Sequence, residues 1–294
     1  MKYVDTAQVQ KKMNTRLVTN NLAKSLFFVS TIFGLIVLAV LIFRVVSEGI
    51  SWINFDFLTG KLSTNADRAG IMGAVLGTLW LMAVVAPVTM LVGVGTAIYL
   101  ESYAKKGRLQ SFIQTNISNL AGVPSIVFGI LGLTVFVRAL EFGNVVLAGG
   151  LTMSLLVLPI VVVASQEAIR AVPAHLSEAS YGMGATKWQT IKNIVLPAAL
   201  PGILTGAILS LSRAIGETAP LVVIGIPALL IPFPGSIMDR FTILPMQIYY
   251  WTIDSALVAE YANLAAATII VLLVVLFLLN SIAIIIRNKF QQRY

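Results

Sequence analysis

Long runs of uncharged, mostly apolar residues alternate with short polar stretches along this chain of 294 residues. About 18 or more such residues in a row are enough for a helix to cross the hydrocarbon core of a bilayer. Seven windows reach this length, at 25–43, 69–100, 109–137, 142–166, 193–212, 218–238 and 261–286. The pattern therefore predicts a protein built from membrane-spanning helices.

Prolines change the interpretation of two of these windows. Window 218–238 contains four prolines, and each removes a backbone donor that a lipid-exposed helix needs. We expect the helix of 193–212 to continue to about Ile224 and an irregular outer segment to follow it. Window 109–137 contains Pro124, which predicts a kink within one span, either as a gate or as a static bend. The result is an all-α integral membrane protein with six transmembrane helices.

The amino-acid composition supports this class. Hydrophobic residues make up 58% of the chain and charged residues 11%, whereas soluble domains carry about 25% charged residues. The chain has no cysteine and a single histidine, His175, which we interpret as a solvated loop residue. Disulfides, thiol catalysis and metal sites built from several Cys or His ligands are therefore excluded. A membrane-embedded enzyme is disfavoured for the same reason.

Basic residues are distributed unevenly between the two predicted sides of the membrane. The side of both termini carries fourteen: Lys2, Lys11, Lys12, Arg16, Lys24, Lys105, Lys106, Arg108, Arg170, Lys187, Lys192, Arg287, Lys289 and Arg293. The opposite side carries five: Arg44, Lys61, Arg68, Arg138 and Arg240. Because cytoplasmic loops are enriched in Lys and Arg, both termini are predicted to be cytoplasmic. This asymmetry explains the net charge of +8 better than nucleic-acid binding does.

The topology divides the chain into a cytoplasmic N-terminal tail at 1–24 and a six-helix transmembrane domain at 25–290. One polar segment, at 167–197, interrupts the domain on the cytoplasmic side. Good helix formers at 174–181 are followed by glycines, and a second helical stretch follows at 186–194. This order predicts a helix, a tight turn and a second helix, which could transmit force to both adjoining spans.

The spacing Glu178-Ala179-Ser180, then Gly184, then Ile194-x-Leu196-Pro197 resembles the EAA loop of ABC importer permeases, with Ser180 in place of Ala. The resemblance implies a type I importer permease fold, called MetI-like, in which this loop is a coupling helix that docks on a separate ATP-hydrolysing subunit. It implies docking roles for Glu178, Ala179, Ser180 and Gly184. The alternative is an amphipathic element that lies at the membrane surface.

Two opposite charges lie within the helix predicted to begin near Ala198. Arg213 and Glu217 are four residues apart, a spacing that lets them pair on one helix face, and Arg213 is about 22 Å along the axis. Ionisable residues inside a membrane are costly and mark functional sites by default. Either Arg213 lines a pathway and attracts an anion, with Glu217 limiting how tightly it is held, or the pair is a structural clamp between helices.

The residues around this pair extend the resemblance. The stretch Arg213–Pro220 (RAIGETAP) and the stretch Ala121–Gly129 (AGVPSIVFG) resemble phosphate importer permeases of the PstA type. This implies a phosphate pathway that includes Arg213, Glu217 and Thr218. It also implies a bacterial cytoplasmic (inner) membrane location and four kinds of partner: a homologous second permease (PstC-like), two ATP-binding subunits (PstB-like), an external phosphate-binding protein (PstS-like) and the lipid bilayer, with no nucleic acid.

The chain contains no Gly-x-x-x-x-Gly-Lys-Ser/Thr sequence that could hold nucleotide phosphates. We therefore expect no cofactor in this chain, with ATP and Mg bound by the partner ATPase. Two alternatives stay open: a permease for another oxyanion (phosphonate, sulfate or molybdate) and, more remotely, a secondary transporter, which would more often show inverted repeats and coupling-ion sites.

Overall fold

The computed structural model describes residues 6–227 and 232–289, and regular secondary structure in these ranges is helical. The α-helices are α1 (Thr6–Gly49), α2 (Phe55–Thr59), α3 (Met72–Ile98), α4 (Arg108–Leu120), α5 (Ser125–Gly132), α6 (Val146–Arg170), α7 (Ala174–Gly182), α8 (Lys187–Thr190), α9 (Leu196–Ile215), α10 (Ala219–Ile224), α11 (Leu244–Asp254) and α12 (Glu260–Lys289). Three π-helical segments adjoin them: Tyr99–Tyr103 after α3, Leu133–Ala139 after α5 and Ile191–Val195 before α9.

Five helical stretches in the described ranges are long and apolar enough to cross a membrane. They are Arg16–Trp52, Met72–Tyr103, Val146–Arg170, Lys187–Ile215 and Glu260–Lys289. A sixth candidate is the pair formed by α4 and the stretch Ser125–Ala139, which meets the criteria only as a pair and is bent by 103°. The predicted total of six spans is reached when this bent pair counts as one.

The bend between α4 and α5 is much sharper than the predicted kink. Gly122 and Val123 close the last turn of α4 by donating to Asn119 and Leu120, three residues back. Pro124 then takes an extended conformation, with φ −54° and ψ 134°. The chain leaves the helix completely at this point, whereas a proline kink within one helix would keep helical dihedral angles on both sides. The prediction of a single kinked helix is therefore wrong.

The chain divides into two structural units. The first is α1 up to Glu48, and the second begins at Gly49. Helix α1 begins at Thr6, well before the predicted start of the first span. Its apolar side chains from Leu26 to Val46 are largely exposed within this chain. A helix that is apolar on all faces is typical of a membrane span.

In the second unit, α3, α6 and α9 pack around a common core. The largest cluster of buried side chains includes Leu81 and Val85 of α3, Met153 and Val157 of α6, and Ala214 of α9. Small residues let α6 and α9 approach closely. A Cβ atom on Gly206 would lie 2.4 Å from the Cβ of Ala164, and one on Gly202 would lie 2.8 Å from that of Ala168. Such contacts are typical of helix packing in membranes.

The fifth predicted span ends earlier than the sequence indicated. Helix α9 stops at Ile215, and the short helix α10 begins only at Ala219. Gly216 and Glu217 donate to carbonyls three residues back, which tightens and ends the helix. Pro220 lacks the N–H that a continuous helix would need. The prediction of one helix running to Ile224 is therefore wrong.

The segment after α10, which was predicted to be irregular external chain, contains a helix. Helix α11 buries Leu244, Met246 and Trp251. The backbone N–H of Leu244 donates to Thr78 Oγ1 of α3 at 3.1 Å, and Tyr250 Oη donates to the carbonyl of Ile226 at 2.8 Å. Contacts with distant parts of the chain therefore stabilise α11. Burial raises the pKa of the Tyr250 phenol, and Tyr249 makes a smaller contribution in the same direction.

Candidate coupling surface and substrate pathway

The polar segment between α6 and α9 folds as the predicted helix, turn and helix. Helix α7 ends at Gly182, and Thr186 caps the start of α8. The Thr186 hydroxyl accepts from the backbone N–H of Gln189 at 3.3 Å, and the Gln189 side chain accepts from the backbone N–H of Thr186 at 2.8 Å. This reciprocal pair satisfies two donors at the helix start. The π-helical stretch Ile191–Val195 then continues into α9.

Gly184 sets the direction of the turn between α7 and α8. Its φ of +82° is in the left-handed region, which side chains other than glycine rarely adopt. A Cβ atom at this position would meet nothing within 4 Å. Glycine is therefore required here by backbone conformation, and the space around it would accept a side chain.

The predicted docking residues divide into two groups. Glu178, Ala179 and Gly184 are exposed. Ser180 is half-buried, and its hydroxyl lies 2.9 Å from that of Thr190, so it joins α7 to the end of α8. Ser180 therefore contributes to the shape of the segment, whereas the other three are available for contact.

Large apolar side chains lie on the same segment and were not singled out from the sequence. Tyr181 is 47% exposed, Met183 is 89% exposed and Trp188 is 57% exposed. Aromatic residues and methionine are enriched where proteins contact each other. Their exposure beside Glu178 defines a surface of mixed apolar and acidic character, which we call the coupling surface (Glu178, Ala179, Tyr181, Met183, Gly184 and Trp188).

The charged pair predicted inside a span lies at the break between α9 and α10. Arg213 is on the last turn of α9, and its Nε lies 3.5 Å from Glu217 Oε1. The side chain of Arg213 is 59% exposed and that of Glu217 is 21% exposed. Within the described part of the chain, Glu217 is the residue that the Arg213 side chain bonds, and this pair joins no two spans.

Arg213 supplies the break between α9 and α10 with hydrogen-bond donors that suit an anion. A guanidinium has five N–H donors in a planar fork that fits oxyanions with two oxygens side by side. Thr218 follows Glu217 directly and is half-buried, and its carbonyl accepts from Leu221 and Val222 at the start of α10. The three predicted pathway residues thus lie close together, with Arg213 on the last turn of α9 and Glu217 and Thr218 in the break that follows it, where the guanidinium can present donors to an anion.

The structure combines helices that are long and apolar enough to cross a membrane with a helical segment inserted between two of them, an arrangement that suits a transport permease. The chain belongs to the family of binding-protein-dependent transport system inner membrane components, which it matches over residues 89–294. It is a multi-pass membrane protein and the permease subunit of an ABC transporter, as the sequence predicted, and it is not itself an enzyme. Transporters of this family work with ATPase subunits and a substrate-binding protein.

Two relatives and one solved structure illustrate these similarities. The chain is 31% identical over 286 residues to the phosphate transport system permease protein PstA of Yersinia pestis, covering 95% of this chain and 94% of that protein. It is 37% identical over 217 residues to PstA 1 of Mycobacterium tuberculosis strain CDC 1551, covering 71% and 70%. The inward-facing MetNI methionine ABC transporter matches with a TM-score of 0.60 at 18% identity, over 76% of this chain and 96% of that chain. The predicted MetI-like fold is confirmed.

Proposed function

We propose that this chain is the permease subunit of an ATP-driven importer of inorganic phosphate in the bacterial cytoplasmic membrane. The observation that carries the proposal is the exposed guanidinium of Arg213 at the break between α9 and α10, with Glu217 beside it. Relatives that match most of the chain are named phosphate transport system permease proteins, and these names support phosphate as the substrate.

Arg213 and Glu217 have opposing roles in this proposal. Arg213 attracts the anion through charge-assisted hydrogen bonds. The Glu217 carboxylate, 3.5 Å from Arg213 Nε, competes for the same donors and repels the anion. A transport site must hold its substrate firmly enough to admit it and weakly enough to release it. Thr218 is proposed as a third pathway residue, next to Glu217 in the same stretch.

The coupling surface is proposed to dock on the ATPase through Glu178, Ala179 and Gly184. The Ser180–Thr190 contact holds α7 against the end of α8, so a displacement of α7 is passed on to α9. The close packing of α6 on α9 lets both helices move together. Closure of the ATPases shifts the equilibrium between the inward-facing and outward-facing permease. The shift can be no larger than the difference between the affinities of the closed ATPases for these two states.

The proposed assembly contains a homologous PstC-like permease, two PstB-like ATPases that bind ATP and Mg, and an external PstS-like phosphate-binding protein. We propose no cofactor site in this chain. The proposed topology has both termini in the cytoplasm, with a tail at 1–24 and the transmembrane domain at 25–290. The alternative substrates are other oxyanions, which would use the same donors of Arg213.

Anion competition tests the substrate. In membranes that contain the full complex, we expect unlabelled phosphate to suppress uptake of radiolabelled phosphate, and equal concentrations of sulfate, molybdate or a phosphonate to leave it nearly unchanged. If one of those anions competes as well as phosphate does, or is itself transported faster, the assignment to phosphate is wrong and the chain serves that oxyanion.

Cysteine labelling tests the topology, because the chain has no cysteine of its own. Met183 in the coupling surface and Leu257 between α11 and α12 are both 89% exposed, so they form a matched pair. In intact cells, a membrane-impermeant maleimide is expected to label Leu257→Cys and to leave Met183→Cys unlabelled. Inverted vesicles are expected to show the reverse. Labelling of Met183→Cys from outside would contradict the cytoplasmic position of the coupling surface.

A further inference from the structure

The π-helical turn Tyr99–Tyr103, which ends the α3 span, contacts the polar segment at 167–197, here called the coupling segment, in two places. Glu101 bonds Arg170, the last residue of α6, near the start of this segment. The ring of Tyr103 lies beneath the ammonium group of Lys187, the first residue of α8. Short π-helical stretches are rare and are often found at functional sites. The role of the turn Tyr99–Tyr103 is inferred from the positions of these two contacts and not from its π-helical conformation.

The contact of Glu101 with α6 is a bidentate ion pair in which the carboxylate is largely shielded from solvent, whereas the Arg170 side chain is 48% exposed. Arg170 Nη2 donates to Glu101 Oε1 at 2.6 Å, and Arg170 Nε donates to Glu101 Oε2 at 2.9 Å. Gln166 Nε2 also donates to Glu101 Oε1 at 2.8 Å. The Glu101 side chain is 14% exposed. Bidentate arginine–carboxylate pairs combine charge-assisted bonds with a fixed orientation.

A pair of amide hydrogen bonds extends this contact to α4. Gln166 Nε2 donates to Gln114 Oε1 at 2.8 Å, and Gln114 Nε2 donates to Gln166 Oε1 at 3.1 Å. Gln166 is buried. The π-helical turn after α3, the middle of α4 and the end of α6 are thus joined by one partly buried polar network. A network whose members are hydrogen-bonded to one another holds them in one arrangement.

The second contact holds the middle of the coupling segment, at the start of α8. Lys187 Nζ lies 5.0 Å from the centroid of the Tyr103 ring, within the range of a cation–π interaction. Lys187 follows Thr186, the residue that caps α8. The turn that holds Arg170 at one end therefore also holds the segment where its second helix begins.

We propose that Glu101 and Tyr103 are positioning residues that brace the coupling segment against α3, so that a displacement of α7 moves α3 together with α6 and α9. We call these two contacts the brace. The inference rests on the proposed docking of α7 on an ATPase. Without the brace, α7 could tilt relative to α3, and part of the displacement made by the ATPase would be lost before it reached the pathway.

The test compares Glu101→Gln with Glu167→Gln in the reconstituted full complex, measuring phosphate uptake and ATP hydrolysis on the same sample. Glu167 bonds the same arginine at 2.9 Å, but it lies on α6 itself and is 65% exposed, so its loss leaves the bond between α3 and α6 intact. We expect Glu101→Gln to lower the phosphate taken up per ATP hydrolysed about tenfold, a typical size for an altered coupling between sites. Glu167→Gln is expected to leave that ratio unchanged.

Tyr103 provides a second pair of variants should Glu101→Gln fail to insert. Tyr103→Phe retains the aromatic face and is expected to transport normally, whereas Tyr103→Leu removes it and is expected to lower the ratio. The brace would be overturned if ATP hydrolysis and phosphate uptake fell in proportion, or if the amount of complex fell while the phosphate taken up per ATP hydrolysed stayed unchanged. Either result would mean that Glu101 and Tyr103 serve folding alone.

Variants of the coupling surface separate this inference from the proposed function. If Gly184→Ala lowers the ratio while Glu101→Gln and Tyr103→Leu do not, the brace is wrong and the docking proposal stands. If none of the three lowers it, the docking proposal is wrong, and the brace is wrong with it.

Discussion

Replacing Arg213 with glutamine is expected to lower phosphate uptake by at least about tenfold while the complex still assembles. Hydrogen bonds to charged groups contribute about 1.5–3 kcal/mol each, and about 1.4 kcal/mol corresponds to a factor of ten. We take the lower end of this range, because the side chain of Arg213 is 59% exposed and solvent screens its charge. The measurement is the initial rate of radiolabelled phosphate uptake, normalised to the amount of purified complex.

Two control variants isolate the role of Arg213. Arg213→Lys keeps the charge and loses the planar fork, so intermediate uptake is expected. Arg68→Gln removes a positive charge from an exposed residue that the predicted topology places on the side opposite the termini, outside the pathway, and is expected to have little effect. An Arg213→Gln complex that transports at the normal rate would contradict the pathway role, and loss of assembly alone would favour the structural clamp.

Replacing Gly184 with alanine is expected to uncouple ATP hydrolysis from uptake without removing the protein from the membrane. The φ of +82° at Gly184 is strained for any side chain, at a cost of about 1–3 kcal/mol. The turn relieves this strain by changing its direction, which displaces Met183 and Glu178 within the coupling surface. We expect at least about a fivefold fall in phosphate taken up per ATP hydrolysed. Glu178→Ala, which removes an exposed charge from the proposed contact, is expected to act in the same direction.

Gly182→Ala is the matched control for this prediction. A Cβ atom at Gly182 also meets nothing within 4 Å, and Gly182 has no positive φ. Since alanine is the better helix former at the end of α7, the substitution is expected to be tolerated. If Gly184→Ala transports as well as Gly182→Ala does, the conformation of this turn does not matter for coupling.

Local signals in the sequence were sufficient for the coupling segment. The glycines that end α7, the Thr186 cap and Pro197 near the start of α9 act on their immediate neighbours. Because each signal acts within a few residues, the order of helix, turn and helix follows from the sequence alone. The roles of Glu178, Ala179, Ser180 and Gly184 in docking, and of Arg213, Glu217 and Thr218 in the pathway, stay predictions that the experiments above address.

Features that depend on distant parts of the chain were not predictable in the same way. The break after Ile215 carries α10 onto α5, where a Cβ atom on Gly129 would lie 2.8 Å from the Cα atom of Pro220. Helix α11 depends on its bonds to Thr78 and Ile226. Periodicity and proline positions show that a helix is interrupted, but they do not show where the chain goes next. The brace was missed for this reason, because Glu101 and Arg170 are far apart in sequence.

The central claim is that this chain carries phosphate across the membrane only when a separate ATPase drives it. The most direct test is phosphate uptake into proteoliposomes that contain the full complex, with ATP and Mg enclosed and the loaded binding protein outside. Uptake is expected to require enclosed ATP and to fall at least about tenfold with Arg213→Gln. Equal uptake without ATP, driven by an ion gradient alone, would contradict the proposed function and indicate a secondary transporter.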